Sequence, residues 1–198
     1  MKYMITLKSN EDIVEHIVVD NIGVYEAILS GELKRYPKNF WVGEQGIENS
    51  LACARYLIED VLKCSDDDLK KLGLKTFGKY RLRTMIGSLY GSSPYNLINT
   101  LYKDKFHPWE MAWTPMGFWD IKENRKKAFI WLLEKADMQG GKIYKLSTKM
   151  FREYGLTGLI DKYDGKLYEI VADLHPDEEI VNLYKRKINV EQLVFSKC

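Results

Sequence analysis

The segment KTFGKYRLR places Lys75, Lys79, Arg81 and Arg83 in one short stretch, and KIYKLSTKMFREY places Lys142, Lys145, Lys149 and Arg152 in another. Closely spaced cations of this kind neutralise phosphodiesters, and each contact releases counterions from the nucleic acid. The candidate phosphate contacts are therefore Lys75, Lys79, Arg81, Arg83, Lys145, Lys149 and Arg152. A helix carrying Arg81, Thr84 and Ser88 would also offer polar groups to base edges. Tyr80, Tyr144 and Tyr154 stand beside the cations and could stack or pack there. A solvated helix face has the same composition, so ordinary surface or protein contact is the alternative reading of these clusters, and nothing in them separates DNA from RNA.

Other chemistries find less support. His16, His107 and His175 are far apart and have none of the short spacings of a metal site. Cys64 lies near a helix start, where a thiolate is favoured, but no histidine is close to it in the sequence. The run Asp66 to Asp68 is explained by capping and solvation. GSLYGSSP at 87 to 94 lacks the lysine and spacing of a phosphate loop. The expectation is a protein with no catalytic residues, no metal and no cofactor.

The elements that would carry the clusters are written twice. Pro37, Phe40 and Trp41 correspond to Pro115, Phe118 and Trp119, and Glu48-Asn49 corresponds to Glu123-Asn124, with three more residues between these elements in the first copy. From Glu-Asn onward Cys53 falls on Ala128, Tyr56 on Trp131, Leu57 on Leu132 and Ile58 on Leu133. Further along, a shift of 73 positions takes Ile86 to Leu159, Tyr90 to Tyr163, Tyr95 to Tyr168, Ile98 to Val171 and Leu101 to Leu174. Tyr25 and Ile28 suggest a partial copy at the amino end. Repeated modules would place equivalent cation clusters on equivalent faces.

Apolar residues at Leu51, Ala54, Leu57, Ile58 and Val61 recur at helical spacing, and the second copy repeats the pattern less cleanly. Ser65 with Asp68 reads as a capping box, and Gly73 as the end of that short helix. Further helices are expected over 79–90, 93–102, 147–154, 156–163 and 166–174, with Pro94 in a first turn and Gly91, Gly155 and Gly165 breaking the runs. MITLK at 4–8 and HIVVD at 16–20 could be strands. The fold class is mainly α, in two tandem helical modules with a short N-terminal β element. The expected boundaries are an extension or partial repeat over 1–32, modules over 33–108 and 109–178, and a C-terminal helix or tail over 179–198.

The paired Phe-Trp elements are expected to staple each incoming loop onto its helical core, and Glu-Asn to satisfy local backbone groups. Two more basic groups stand apart: Lys122, Arg125, Lys126 and Lys127 of KENRKK, where the matching region of the first copy is SLAC, and Lys185, Arg186 and Lys187 in the tail. The rival to nucleic-acid binding is a protein-binding adaptor or inhibitor whose exposed aromatic surface would contain Trp109, Trp113 or Phe195.

A formal net charge of +2 is too small to steer the whole molecule toward nucleic acid, so any such binding rests on local clusters. Three cysteines, Cys53, Cys64 and Cys198, are an odd number at long spacing and suit a reducing compartment. MKYMITLKSNEDIVEH brings acidic residues before any apolar run of secretory length, and AFIWLLEKA at 128–136 is too short to span a bilayer. A cytoplasmic protein with no membrane contact is expected.

The order Pro-x-x-Phe-Trp, Glu-Asn, aromatic-rich helix, Gly-Leu-x-Gly-Leu and Tyr-x-Gly is clearest at Pro115, Phe118, Trp119, Glu123, Asn124, Trp131, Leu132, Gly155, Leu156, Gly158, Leu159, Tyr163 and Gly165. It resembles a poorly characterised family of bacterial and phage-type helical repeats, over roughly residues 33 to 177. The first copy departs from the pattern: RLRTMIGSLYG replaces GLTGLIDKYDG, and Asn39 occupies the Gly117 position. The resemblance implies small helical units associated with proteins of nucleic-acid metabolism or mobile elements. Together with the clusters, it yields the expectation of a non-enzymatic regulator that binds double-stranded DNA, the alternative partner being a host or phage protein.

Overall fold

A computed structural model of the chain describes residues 2–8, 14–138, 140–182 and 184–186. The protein is mainly helical, with one short β-hairpin. Strand β1 (Tyr3–Lys8) pairs antiparallel with β2 (Val14–Val19), from Tyr3 opposite Val19 to Lys8 opposite Val14. Alternation along β1 buries Ile5 and exposes Met4 and Thr6. The strands thus begin a residue or two before the stretches the sequence marked.

The chain divides into two compact units, Met1–Pro115 and Met116–Cys198. In the first unit α1 (Asn21–Ser30) starts at an Asp20 cap, whose carboxylate accepts from the Gly23 amide, and stops at Gly31, left-handed at φ 86°. Then come α2 (Gly43–Tyr56), which continues as a π-helical turn over Leu57–Val61, α3 (Asp66–Lys71), α4 (Leu74–Lys79), α5 (Arg83–Leu89) and α6 (Pro94–Leu101). The second unit holds α7 (Lys122–Lys135), α8 (Thr148–Glu153), α9 (Thr157–Asp161) and α10 (Leu167–Leu174). Among the described residues no helix is long and apolar enough to cross a membrane.

Local signals account for many of the ends. Ser65 caps α3 in a reciprocal box with Asp68, and Ser93 caps α6 with Pro94 in its first turn. Of the stretch 79–90 expected to be helical, α5 forms from Arg83 to Leu89, while Lys79 closes α4 and the left-handed Arg81 separates the two. Gly73 does not end α3, which stops at Lys71 with Leu72 as its cap; Gly73 precedes α4 and lies against the Trp113 ring, 2.9 Å from where a Cβ would stand.

The unit boundary falls after Pro115 rather than after residue 108. The Ala112 amide donates to the Lys70 carbonyl at 2.8 Å, and Trp109 and Met111 are buried, so this segment is bound to the first unit. Residues expected to form a separate amino-terminal extension also belong here: Tyr25 is fully buried and its hydroxyl donates to the Tyr80 carbonyl. At the other end, residues 178–182 and 184–186 are helical, and Val181 and Tyr184 are buried.

The two units share an internal plan. Asn49 donates from its side-chain amide to the Phe40 carbonyl at 2.8 Å, and Asn124 does the same to Phe118 at 3.0 Å. Asn39 and Gly117 are both left-handed, at φ 61° and 73°, and each accepts an amide three residues on. Asn39 thus preserves the turn despite replacing glycine, because asparagine tolerates this region better than other L-residues. The additional residues of the first copy lengthen α2 at its amino end.

The register of the second half differs in part from a uniform shift of 73. Helices α4 and α5 match α8 and α9 at a shift of 74, and α6 matches α10 at 73, the difference arising at the intervening turn. Ile86 therefore corresponds to Ile160 rather than Leu159, and both are buried.

Candidate nucleic-acid interface

Arg81 sits where α4 turns into α5. The Arg81 amide donates to Gly78 at 3.1 Å and the Leu82 amide to Phe77 at 2.8 Å, while Phe77 and Leu82 are both fully buried. This is a Schellman turn, which places its left-handed position at a residue usually glycine. The second unit has the same turn, with Gly155 donating to Arg152 at 3.1 Å, Leu156 to Phe151 at 2.7 Å, and Gly155 at φ 77°. The first unit holds Arg81 there at φ 65°, a backbone state that costs an L-residue about 1–2 kcal/mol.

A second left-handed turn faces the same space. The Phe40 amide donates to Pro37 and the Val42 amide to Asn39, folding the Phe-Trp element back on itself. Phe40 is buried, stacked on Tyr36 at 5.3 Å and edge-on to Trp41 at 4.6 Å. The staple role expected of Phe40 is thus met, while Trp41 remains half-buried. Asn49, fully buried, holds this turn: besides Phe40 it donates to the Tyr3 hydroxyl, and its side-chain oxygen accepts from Asn21 and Gln45.

Between these turns lies an open groove of about 420 Å³, lined by Arg35, Tyr36, Pro37, Asn39, Phe40, Trp41, Val42, Arg81 and Thr84. Its lining contains two guanidiniums and no carboxylate. Burial pushes the Tyr36 hydroxyl well above its ordinary range, and the nearby Arg81 charge acts in the opposite direction. Neither Arg35 nor Arg81 has an ion-pair partner among the described residues, and both are exposed.

The cations singled out from the sequence divide unequally. Lys75, Lys79, Arg81 and Arg83 are all exposed on α4, α5 and the turn between them, with no ion pair among the described residues. Lys79 lies over the Tyr80 ring at 5.4 Å. In the second unit Lys145, Lys149 and Arg152 are also exposed, but Lys149 pairs with Glu153 at 3.5 Å. At the shift of 74, Lys75 matches Lys149, whereas Lys79 meets Glu153, Arg81 meets Gly155 and Arg83 meets Thr157. The two named clusters are therefore not equivalent: of the first, only Lys75 has a cationic counterpart, Lys149, while Lys145 of the second meets Lys71.

The second unit closes the space that the first leaves open. Gly158 stands where the first unit has Thr84, and the Trp119 indole nitrogen lies 2.3 Å from where a Gly158 Cβ would stand. Arg125 is held internally: it donates to the Trp119 and Asp120 carbonyls at 2.7 and 3.0 Å and to the Tyr163 hydroxyl at 3.1 Å. Tyr163 donates to Asp173, which also pairs with Lys122 at 2.5 Å, and Lys162 pairs with Asp120. These bonds commit cations of the KENRKK segment to the fold.

The remaining sequence candidates sort by exposure. Tyr80 packs against the first core and Tyr154 meets Trp131 edge-on, so both are packing residues, while Tyr144 is exposed. Trp109 is only 4% exposed and stacks on His107, which removes it from the proposed protein-binding surface; Trp113 is 62% exposed, and Phe195 lies outside the described residues. Burial and the Asp68 charge raise the Cys64 thiol, opposite to the direction that would activate it. Among the described residues no group of three or more His, Cys, Asp or Glu side chains is placed to hold a metal ion.

Sequence reading missed Arg35 and Trp41 as neighbours of Arg81. The available signal was the repeat itself, in which Arg81 replaces Gly155 and Thr84 replaces Gly158. Residues 21–107 match the model of a family described as a protein of unknown function (DUF4046), a span that contains the whole groove lining and the first cation cluster. Neither the curated proteins nor the solved structures gave a match.

Proposed function

We propose that the chain is a non-enzymatic DNA-binding protein that grips the backbone of double-stranded DNA chiefly through its first unit. The observation that carries this reading is the group of four exposed cations, Lys75, Lys79, Arg81 and Arg83, none of them neutralised by an ion pair among the described residues. Unpaired surface cations are free to replace condensed counterions, so affinity should fall steeply with salt. Lys145, Lys149 and Arg152 form a weaker contact, because Glu153 already competes for Lys149.

Anisotropy of a fluorescent duplex across a salt series tests the assignment. Replacing Lys79, Arg81 and Arg83 together by Gln should reduce the steepness of log K against log salt by roughly 0.9 per lost phosphate contact. The corresponding change at Lys145, Lys149 and Arg152 should reduce it less. A variant of the first cluster that remains folded and keeps the parent slope would refute the reading.

A further inference from the structure

Building on nucleic-acid contact by the first unit, we propose that its groove receives one unpaired nucleotide of a DNA strand. The volume of about 420 Å³ lies in the range of small-ligand sites, roughly 300–1,000 Å³, the scale of one nucleotide. A base that stacks on the rings lining this groove has no free face while it is stacked in a duplex, so it must have left the duplex or belong to a single-stranded end.

The lining suits both halves of such a unit. Arg35 and Arg81, neither of them ion-paired among the described residues, supply two guanidiniums for a phosphate, and the lining holds no carboxylate to compensate their charge. Trp41 and Tyr36 supply aromatic surface, which favours a base over a simple anion because every base presents a π face. Asn39 carries both donors and an acceptor, and Thr84 a hydroxyl, the groups that read base edges. Arg81 occupies a left-handed position that the second unit gives to glycine, so the fold sustains backbone strain to place a guanidinium here. The second unit serves as an internal comparison: Gly158 admits Trp119 where Thr84 leaves room.

The test compares the full-length protein on a blunt fluorescent duplex and on the same duplex with a short single-stranded overhang, at matched salt. The parent should bind the overhang form about tenfold more tightly, the scale of one stacked base. Thr84→Leu adds apolar bulk at an exposed helix position without altering charge; it should abolish that gain, read as the ratio of overhang to blunt-duplex affinity of the same variant. Arg35→Gln, in an exposed loop, should reduce the same gain and provides a second variant should Thr84→Leu fail to fold. Equal binding of the two probes, or a gain that survives both substitutions, overturns the groove assignment while leaving backbone binding intact. Competition by a free mononucleotide as strong as by the single strand overturns the strand as occupant. Failure of both probes to bind at low salt overturns this proposal together with the duplex reading.

Discussion

Replacing Arg81 by glycine should make the protein more stable and a poorer ligand for DNA. Arg81 holds the left-handed position of a Schellman turn at φ 65°, which costs about 1–2 kcal/mol for a residue with a Cβ. Glycine removes that cost but gives the unfolded chain more freedom, worth roughly 0.5–1 kcal/mol in the opposite direction. The side chain is exposed and has no ion pair among the described residues, so little else is lost. A net gain of about 0.5–1 kcal/mol is expected. Loss of one phosphate contact should meanwhile flatten the salt dependence by about 0.9 in log–log slope. Because the chain has two compact units, a single unfolding midpoint can mix their transitions. Hydrogen exchange of the α4 and α5 amides in increasing urea reads the affected unit directly. Arg81→Ala separates the two effects, since it removes the charge and keeps the Cβ: it should weaken DNA binding without the stability gain. Slower exchange in Arg81→Ala equal to that in Arg81→Gly, or a destabilised Arg81→Gly, would refute the strain argument; an unchanged salt slope in both would remove Arg81 from the interface.

Three further outcomes follow from the geometry. Asn49→Ala removes a buried hub that binds Phe40, Tyr3, Asn21 and Gln45, and should destabilise the first unit by about 2–4 kcal/mol in urea unfolding, against about 1 kcal/mol for Asn124→Ala in the second. Gly158→Ala drives a Cβ into the Trp119 indole and should cost about 1–3 kcal/mol, with a shift in tryptophan emission as the ring is displaced. Asp173 is held below the ordinary carboxylate range by its hydrogen bond from Lys122, then by that from Tyr163. Its folded pKa lies below its unfolded one, so the stability it contributes is present above the unfolded value and is lost as pH falls through the folded value. Acid unfolding of Asp173→Asn should therefore show a shallower loss than the parent in that window; identical acid profiles would count against the network.

Much of the secondary structure could be read from short stretches. The Ser65–Asp68 box, Ser93 before Pro94, and the left-handed Gly91 and Gly165 express backbone stereochemistry over a few residues, and the structure places each where the residue types require it. The repeat was also legible, because matching apolar positions such as Leu57 with Leu132 and Ile98 with Val171 are buried in both units. The helix expected over 79–90 starts later, at Arg83, for a local cause: Arg81 carries no sequence mark of a left-handed residue, and the turn there lies between the buried Phe77 and Leu82. Trp109 looked available for a partner and is buried, since an aromatic type alone does not say which side of it meets protein.

The sequence by itself determined a mainly helical, twice-written chain and the location of its cations along that chain, because periodicity and turn chemistry act over one or two helical turns. Tertiary structure alone decided that Arg35 and Trp41 would share a groove with Arg81, and that the second unit would close the corresponding space. The physical reason is that a single Cβ at the Thr84 or Gly158 position determines whether an indole can pack down, and this choice becomes visible only when residues some forty positions apart are brought into contact.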